Sequence, residues 1–177
     1  MNTALRLLLA LFIALAVAAC KSTPEPEPEP EPAPVEDTSD RDVTTSAAPD
    51  PRDYTDARNF DNPESLLSKR IVYFDFDKSE VKSEYRSIVA AHAAYLASSS
   101  SARVTLESHA DERGTREYNL GLGERRGNAV KGVLSAGGAR GSQQDVVSYG
   151  EERPVCRVSN EDCWWQNRRV EIVYTAR

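Results

Sequence analysis

The sequence predicts an α/β two-layer sandwich behind an extended, acidic tether. Two observations carry the fold class. Segments rich in β-formers alternate with segments whose apolar residues recur at helical spacing, in the order β-α-β-α-β-β. Strands interleaved with helices imply one sheet with helices packed on a face. A third observation carries the tether. Residues 20–70 hold 13 acids and 6 bases, whereas residues 71–177 hold 15 of each. The net charge of −6 over 177 residues therefore belongs to the stretch before the domain. The balanced domain offers no basic stripe, which argues against nucleic acid as a partner.

The elements follow in order. Asn62 is placed to cap a short helix with Pro63 at its first position, running to about Arg70. "IVYFDF", 71–76, reads as a strand. Ser79 is expected to cap a helix whose apolar face holds Val81, Tyr85, Ile88, Val89, His92, Tyr95 and Leu96, ended by the serine run 98–101. "RVTLES", 103–108, alternates as a second strand. A longer helix is expected from about Glu117 to Ala136, stopped by Gly137 and Gly138. "DVVSYG", 145–150, is a third strand, and "NRRVEIVYT", 167–175, the last. The loop between them, read as a disulfide loop that can be helical in part, holds Cys156 and Cys163. Residues 62–177 suffice for one core.

What precedes the domain is of another kind. Leu7–Val17 is an apolar run of secretory length, too short to span a bilayer of roughly 20 helical residues. Residues 1–19 are read as a signal peptide, and "VAAC" resembles a bacterial lipobox that makes Cys20 the lipidated first residue of the mature chain. Lys21 rather than Asp follows it, which resembles the pattern of lipoproteins sent to the outer membrane. Several acyl chains anchor a protein without spanning the bilayer. "PEPEPEPEPAP", Pro24–Pro34, favours extended polyproline II, and residues 20–61 are read as a disordered tether. Two remaining cysteines in an exported chain read as one disulfide, Cys156–Cys163, with two free thiols as the alternative. His92 and His109 have no ligand spacing with them, so no metal is expected.

The long helix poses the functional question. Its apolar stripe holds Leu122, Ala129, Val130 and Val133, yet Arg126 lies on that stripe, with Asn119 extending the same face. A buried, uncompensated charge costs several kcal/mol, so Arg126 needs an anion. Asp111, in the loop before the helix, supplies one as an internal salt bridge. The alternative is a zwitterionic ligand between them, with Asp111 on an ammonium and Arg126 on a carboxylate. Spacing leaves both open.

"IVYFDFDKSEV", "HADERGTREYNLGLGERRGNAV", "VVSYGEERP" and "NRRVEIVY", in this order, together resemble the peptidoglycan-associated lipoproteins of the OmpA C-terminal-like family. The resemblance covers about residues 62–177 and extends to the lipobox and tether. It implies an OmpA C-terminal-like fold that is not an enzyme, uses no cofactor, and binds peptidoglycan through stem-peptide diaminopimelate. Asp111 would then pair with the ammonium and Arg126 with the adjacent carboxylate. Asn119 and Leu122 would line the pocket, Phe76 and Asp77 would supply wall and backbone contacts, and Arg113 and Thr115 would lie just behind. It further implies a periplasm-facing domain anchored in the outer membrane, and a Tol-Pal role in envelope integrity and constriction at division. The implied partners are TolB, with TolA or other outer-membrane proteins beyond it. TolB would meet the same face, around His109, Glu112 and Tyr149. One departure is Ser108, where the family has glycine before His-Ala-Asp.

Other residues have blander readings. His109 invites an acid–base role, but no nucleophile stands at a recognisable spacing, so its ring is expected to hydrogen-bond and hold the loop. His92 reads as a core histidine. Of Trp164 and Trp165, one is expected to pack over the disulfide loop, and Asn167–Arg169 to serve strand pairing. Rival functions are an OmpA-like wall anchor without a Tol partner and a wall-active hydrolase. The latter is disfavoured because adjacent loop carboxylates do not flank a bond at the separation glycosidic cleavage requires.

Overall fold

A computed structural model describes residues 48–177. Its sheet has four strands: β1 (Ile71–Tyr73), β2 (Arg103–His109), β3 (Gln144–Gly150) and β4 (Arg169–Ala176). The spatial order is β1-β4-β2-β3. β4 runs antiparallel to both β1 and β2, and β3 lies parallel to β2. The parallel pair requires a crossover, supplied by helix α2 (Arg116–Ala136). Helix α1 (Ser83–Ser98) links β1 to β2, and a two-turn α3 (Glu161–Asn167) precedes β4.

Alternation sets the layers. Val104 and Leu106 of β2 and Val170 and Ile172 of β4 point one way, into a core closed by Val89 and Leu96 of α1 and Val130 and Leu134 of α2. The expected α/β two-layer sandwich is thus the fold observed.

Several boundaries differ, each for a local reason. The helix read from Ser79 begins at Ser83, and its flanking Lys82 makes no side-chain cap bond. The carbonyls of Asp75 and Lys78, just before Ser79, accept from Arg126. The first strand, read to residue 76, ends at Tyr73; Phe74 still donates to Arg168 O, and the chain then leaves the sheet. The helix read over 62–70 is a 3-10 turn, Leu66–Ser68, capped by Ser65. Asn62 spends its side-chain oxygen on Glu64 N in a local turn.

Order begins before residue 62. In a stretch read as tether, Asp56 caps a 3-10 turn, Ala57–Phe60. Asn59 Nδ2 donates to Asp50 O and Asp53 O, both at 2.7 Å. Phe60 is buried among Tyr95, Tyr174 and His92. One aromatic with its own core socket outweighs the polar composition around it. His92 is the expected core histidine: Nδ1 lies 3.0 Å from Tyr174 OH and Nε2 3.0 Å from Lys69 O.

This cluster and the loop after β2 mark opposite ends of the sheet. Phe60 packs on Tyr174, which pairs with Val104 near the start of β2, whereas His109 ends that strand. Five residues at about 3.3 Å each separate the ends by roughly 17 Å.

Candidate functional site

A cleft of about 200 Å³ opens beyond the end of β2. Its walls come from the lip after β1 (Phe76, Asp77), the loop before α2 (Asp111, Arg113, Gly114) and the first turns of α2 (Tyr118, Asn119, Leu122, Arg126). Seven of the eight ligand-site residues expected from sequence lie in that wall. The eighth, Thr115, does not line it: its hydroxyl accepts from Tyr118 N at 3.2 Å and caps α2. Tyr118, Gly114 and the nearby Arg168 were missed. The signal for Tyr118 was present, since it stands four residues before Leu122 on the same helix edge.

Arg126 is fully buried and the deepest of these groups. Its Nε donates to Lys78 O and Nη1 to His109 O, both at 2.8 Å, and Nη2 to Asp75 O at 3.1 Å. Three of the five guanidinium donors are thereby used. Burial pushes its pKa down to about 10, opposed by the charge of Asp111, so the group stays charged at neutral pH. Among the described residues no carboxylate lies within 4.0 Å of it. The internal Asp111–Arg126 salt bridge is not formed: carbonyls at the strand end solvate the arginine.

Close helix packing brings Arg126 there. A Cβ at Gly127 would stand 2.5 Å from Val146 Cγ1, and one at Gly123 would overlap Ser148 Oγ. These two glycines, flanking Arg126 and four apart, let α2 settle onto β2 and β3.

Asp111 is also buried, but paired. Its Oδ1 accepts from Arg113 N at 3.1 Å and Arg113 Nε at 3.2 Å. Its Oδ2 accepts from Arg113 Nη2 at 2.7 Å and Arg168 Nη1 at 3.2 Å. Burial pushes its carboxyl up, but the hydrogen bonds from Arg113 and Arg168 outweigh it and hold the pKa below the ordinary value. Arg113 itself lies between two rings, 4.0 Å from the Phe76 centroid and 4.1 Å from that of Trp164. Asn119 Nδ2 bridges Asp111 O and Glu151, tying the loops around the cleft together. Asp77 adopts a left-handed backbone, φ 54°, and accepts from Tyr118 OH.

Of the expected partner-facing residues, Glu112 is exposed and Tyr149 half-buried, whereas His109 lies under the surface at 2% exposure. The His109 ring stacks on Tyr149, 5.4 Å between centroids, and neither nitrogen has a hydrogen-bond partner among the described residues. The expected ring hydrogen bond is therefore not made. The backbone holds this loop instead: His109 O accepts from Arg126, and Ala110 N donates to Gly150 O at 2.8 Å. Burial, then the charge of Arg169, push the imidazole pKa down to about 4.

Cys156 and Cys163 form a disulfide with Cα atoms 5.1 Å apart. Trp164 packs on Arg113, and its Nε1 donates to Glu112 at 3.0 Å. Trp165 packs on Tyr73. Arg168 does more than pair strands: it links Phe74 O, Asp111 and Glu161. The expected signal peptide, Cys20 and the Pro-Glu run lie outside the described residues, and among those described no helix is long and apolar enough to cross a membrane.

The OmpA family model matches residues 73–168. The chain is 47% identical over 103 residues to the peptidoglycan-associated lipoprotein of Pasteurella multocida, covering 58% of this chain and 69% of that one. Its counterpart in Pseudomonas aeruginosa is 50% identical over 100 residues, covering 56% and 59%. Among solved structures, the peptidoglycan-associated lipoprotein from Burkholderia pseudomallei superimposes with a TM-score of 0.64 at 43% identity, covering 66% of this chain and 98% of that one. The C-terminal domain of Helicobacter pylori MotB, at 17% identity and a TM-score of 0.55, shares the fold.

Proposed function

The chain belongs to the OmpA family, and from that premise we propose that it is an outer-membrane lipoprotein that binds peptidoglycan non-covalently. One observation carries the reading: a buried arginine in a cleft wall, solvated by carbonyls and facing no carboxylate among the described residues, beside a buried aspartate. Such a site completes its charge balance with an anionic ligand, and the guanidinium fork suits a carboxylate. The names of its lipoprotein relatives supply the class of polymer. Diaminopimelate brings a carboxylate for Arg126 and an adjacent ammonium for Asp111. Arg113 and Arg168 fix the orientation of the Asp111 carboxylate that meets it. Lysine at the same stem position lacks the second carboxylate.

Around this site, residues 1–19 direct export, lipidated Cys20 anchors the chain in the outer membrane, and the Pro-Glu stretch is a tether. The domain faces the periplasm. As part of a Tol-Pal system it links envelope layers during constriction at division, with TolB competing for the cleft face through the Glu112 and Tyr149 surface. Retention of TolB from a matched envelope extract, lost on adding stem peptide, is the expected outcome; wall binding without TolB retention would select a Tol-independent anchor.

The deciding test is calorimetry of the full-length protein in mild detergent with a diaminopimelate stem tripeptide and its lysine analogue. The expected result is binding of the first only, lost in Arg126→Gln and Asp111→Asn variants that keep wild-type circular dichroism. No binding by folded wild type would overturn the reading.

A further inference from the structure

Helix α3 contributes no residue to the cleft wall, yet it grips the side chain that covers Asp111. The Arg113 guanidinium carbon lies 4.1 Å from the Trp164 ring centroid and 4.0 Å from that of Phe76. Trp164 Nε1 is pinned by Glu112. Glu161, in the first turn of α3, accepts from Arg168 Nη2 at 2.5 Å and lies 3.5 Å from Arg113 Nη2. A helix this short has no stability of its own. Its start is fixed by Asn160, which accepts from Cys163 N, and by the bond from Cys163 to Cys156. Its end is fixed by Asn167, which bonds Val155 N, Cys156 N and Cys156 O.

We propose that this disulfide-closed segment, 156–167, is a positioning element of the cleft, with Trp164 the positioning residue that sets Arg113. The inference rests on the stem-peptide reading of the cleft. Arg113 is long and flexible, so unsupported it samples many rotamers. Contact with both rings selects the one that keeps Asp111 oriented. Because Arg113 fixes how the Asp111 carboxylate is presented, Trp164 sets affinity without touching ligand. The disulfide belongs to the same device. Opening it frees the start of α3 and slackens the Trp164–Arg113 stack, so cleft occupancy and cysteine oxidation are linked. Linkage is reciprocal: a ligand that binds the oxidised form better stabilises the disulfide by the same factor. The reductant is a dithiol such as dithiothreitol; it gives two electrons and two protons, the Cys156–Cys163 bond breaks to two thiols, and the reagent closes to its own cyclic disulfide.

The test uses the full-length protein in mild detergent. Trp164→Ala should weaken the diaminopimelate tripeptide about fivefold, roughly 1 kcal/mol, and Trp164→Tyr should restore it to within about twofold. At saturating tripeptide, the disulfide-to-dithiol ratio in a dithiothreitol redox buffer should rise by the factor that reduction costs in affinity. A second measurement needs no ligand: phenylglyoxal labelling of Arg113, read by mass spectrometry, should speed up in Trp164→Ala and in reduced wild type. Tripeptide binding unchanged in Trp164→Ala, with wild type binding, would overturn positioning while leaving the site reading intact. Unchanged Arg113 labelling would overturn it whether or not the tripeptide binds.

Discussion

The two ends of the sheet bury polar groups in different ways. At the Phe60 end, His92 sits among aromatic rings with both ring nitrogens bonded, to Tyr174 OH and Lys69 O. At the cleft end, Arg126 is just as deep, but its charge is met by three carbonyl dipoles and Asp111 is tied up by other arginines. His92 is fully paired within the chain. Arg126 is met by carbonyl dipoles alone, beside a His109 ring whose nitrogens have no partner among the described residues, and its charge stays unbalanced. Buried polarity therefore marks a ligand site only when its charge balance stays open.

Removing the guanidinium should break the comparison most severely. Arg126→Ala leaves three carbonyls unpaired at the end of β2 and the β1 lip, and should cost about 3 kcal/mol in denaturant unfolding. A loss under about 1 kcal/mol would mean that water solvates those carbonyls as well as the arginine does.

The closed end should show itself through pH. Burial, only partly offset by the hydrogen bond to Lys69, holds the folded His92 pKa at about 4, below its ordinary 6.5. The unfolded chain then binds the proton more tightly, so this contribution is complete above pH 6.5 and is lost as pH falls toward 4. The His92 share should be about 2 kcal/mol at pH 5 relative to pH 7. His92→Gln, which can keep both hydrogen bonds, should remove that share of the slope. An unchanged slope would assign the acid sensitivity to His109 and the carboxylates.

The smallest effect tests the spine between the ends. Gly127→Ala gains roughly 1 kcal/mol of helix propensity but overpacks Val146, for a net loss of about 1 kcal/mol. Because the clash lifts α2 off the sheet beside Arg126, tripeptide binding should weaken more than stability does. Equal losses in both would show that the helix seats rigidly.

Periodicity made much of this legible. The strand faces of Val104 and Leu106, the stripe of α2, and Arg126 on that stripe all follow from spacing. The cleft set followed because a short loop and one helix face bring Asp111, Asn119, Leu122 and Arg126 together. Contacts made at long range stayed hidden. Nothing local says that Asp111 pairs with Arg168, fifty-seven residues on, or that Trp164 reaches Arg113. Phe60 was lost because polar composition outvoted one aromatic. The start of α1 was misread because Lys82, which precedes its first residue Ser83, makes no side-chain cap bond that would mark the boundary.

The placement of Phe60 and the cleft at opposite ends of β2 and β4 also has a mechanical side. Tension applied through the chain before Phe60, with the cleft held fast, runs nearly parallel to the strands. The β2–β4 and β1–β4 ladders are then loaded in shear, their hydrogen bonds sharing the strain at once instead of parting one by one as in peeling. A sheet pulled lengthwise gives way reluctantly, and Phe60, seated in its aromatic socket, is the first bolt such a pull must draw.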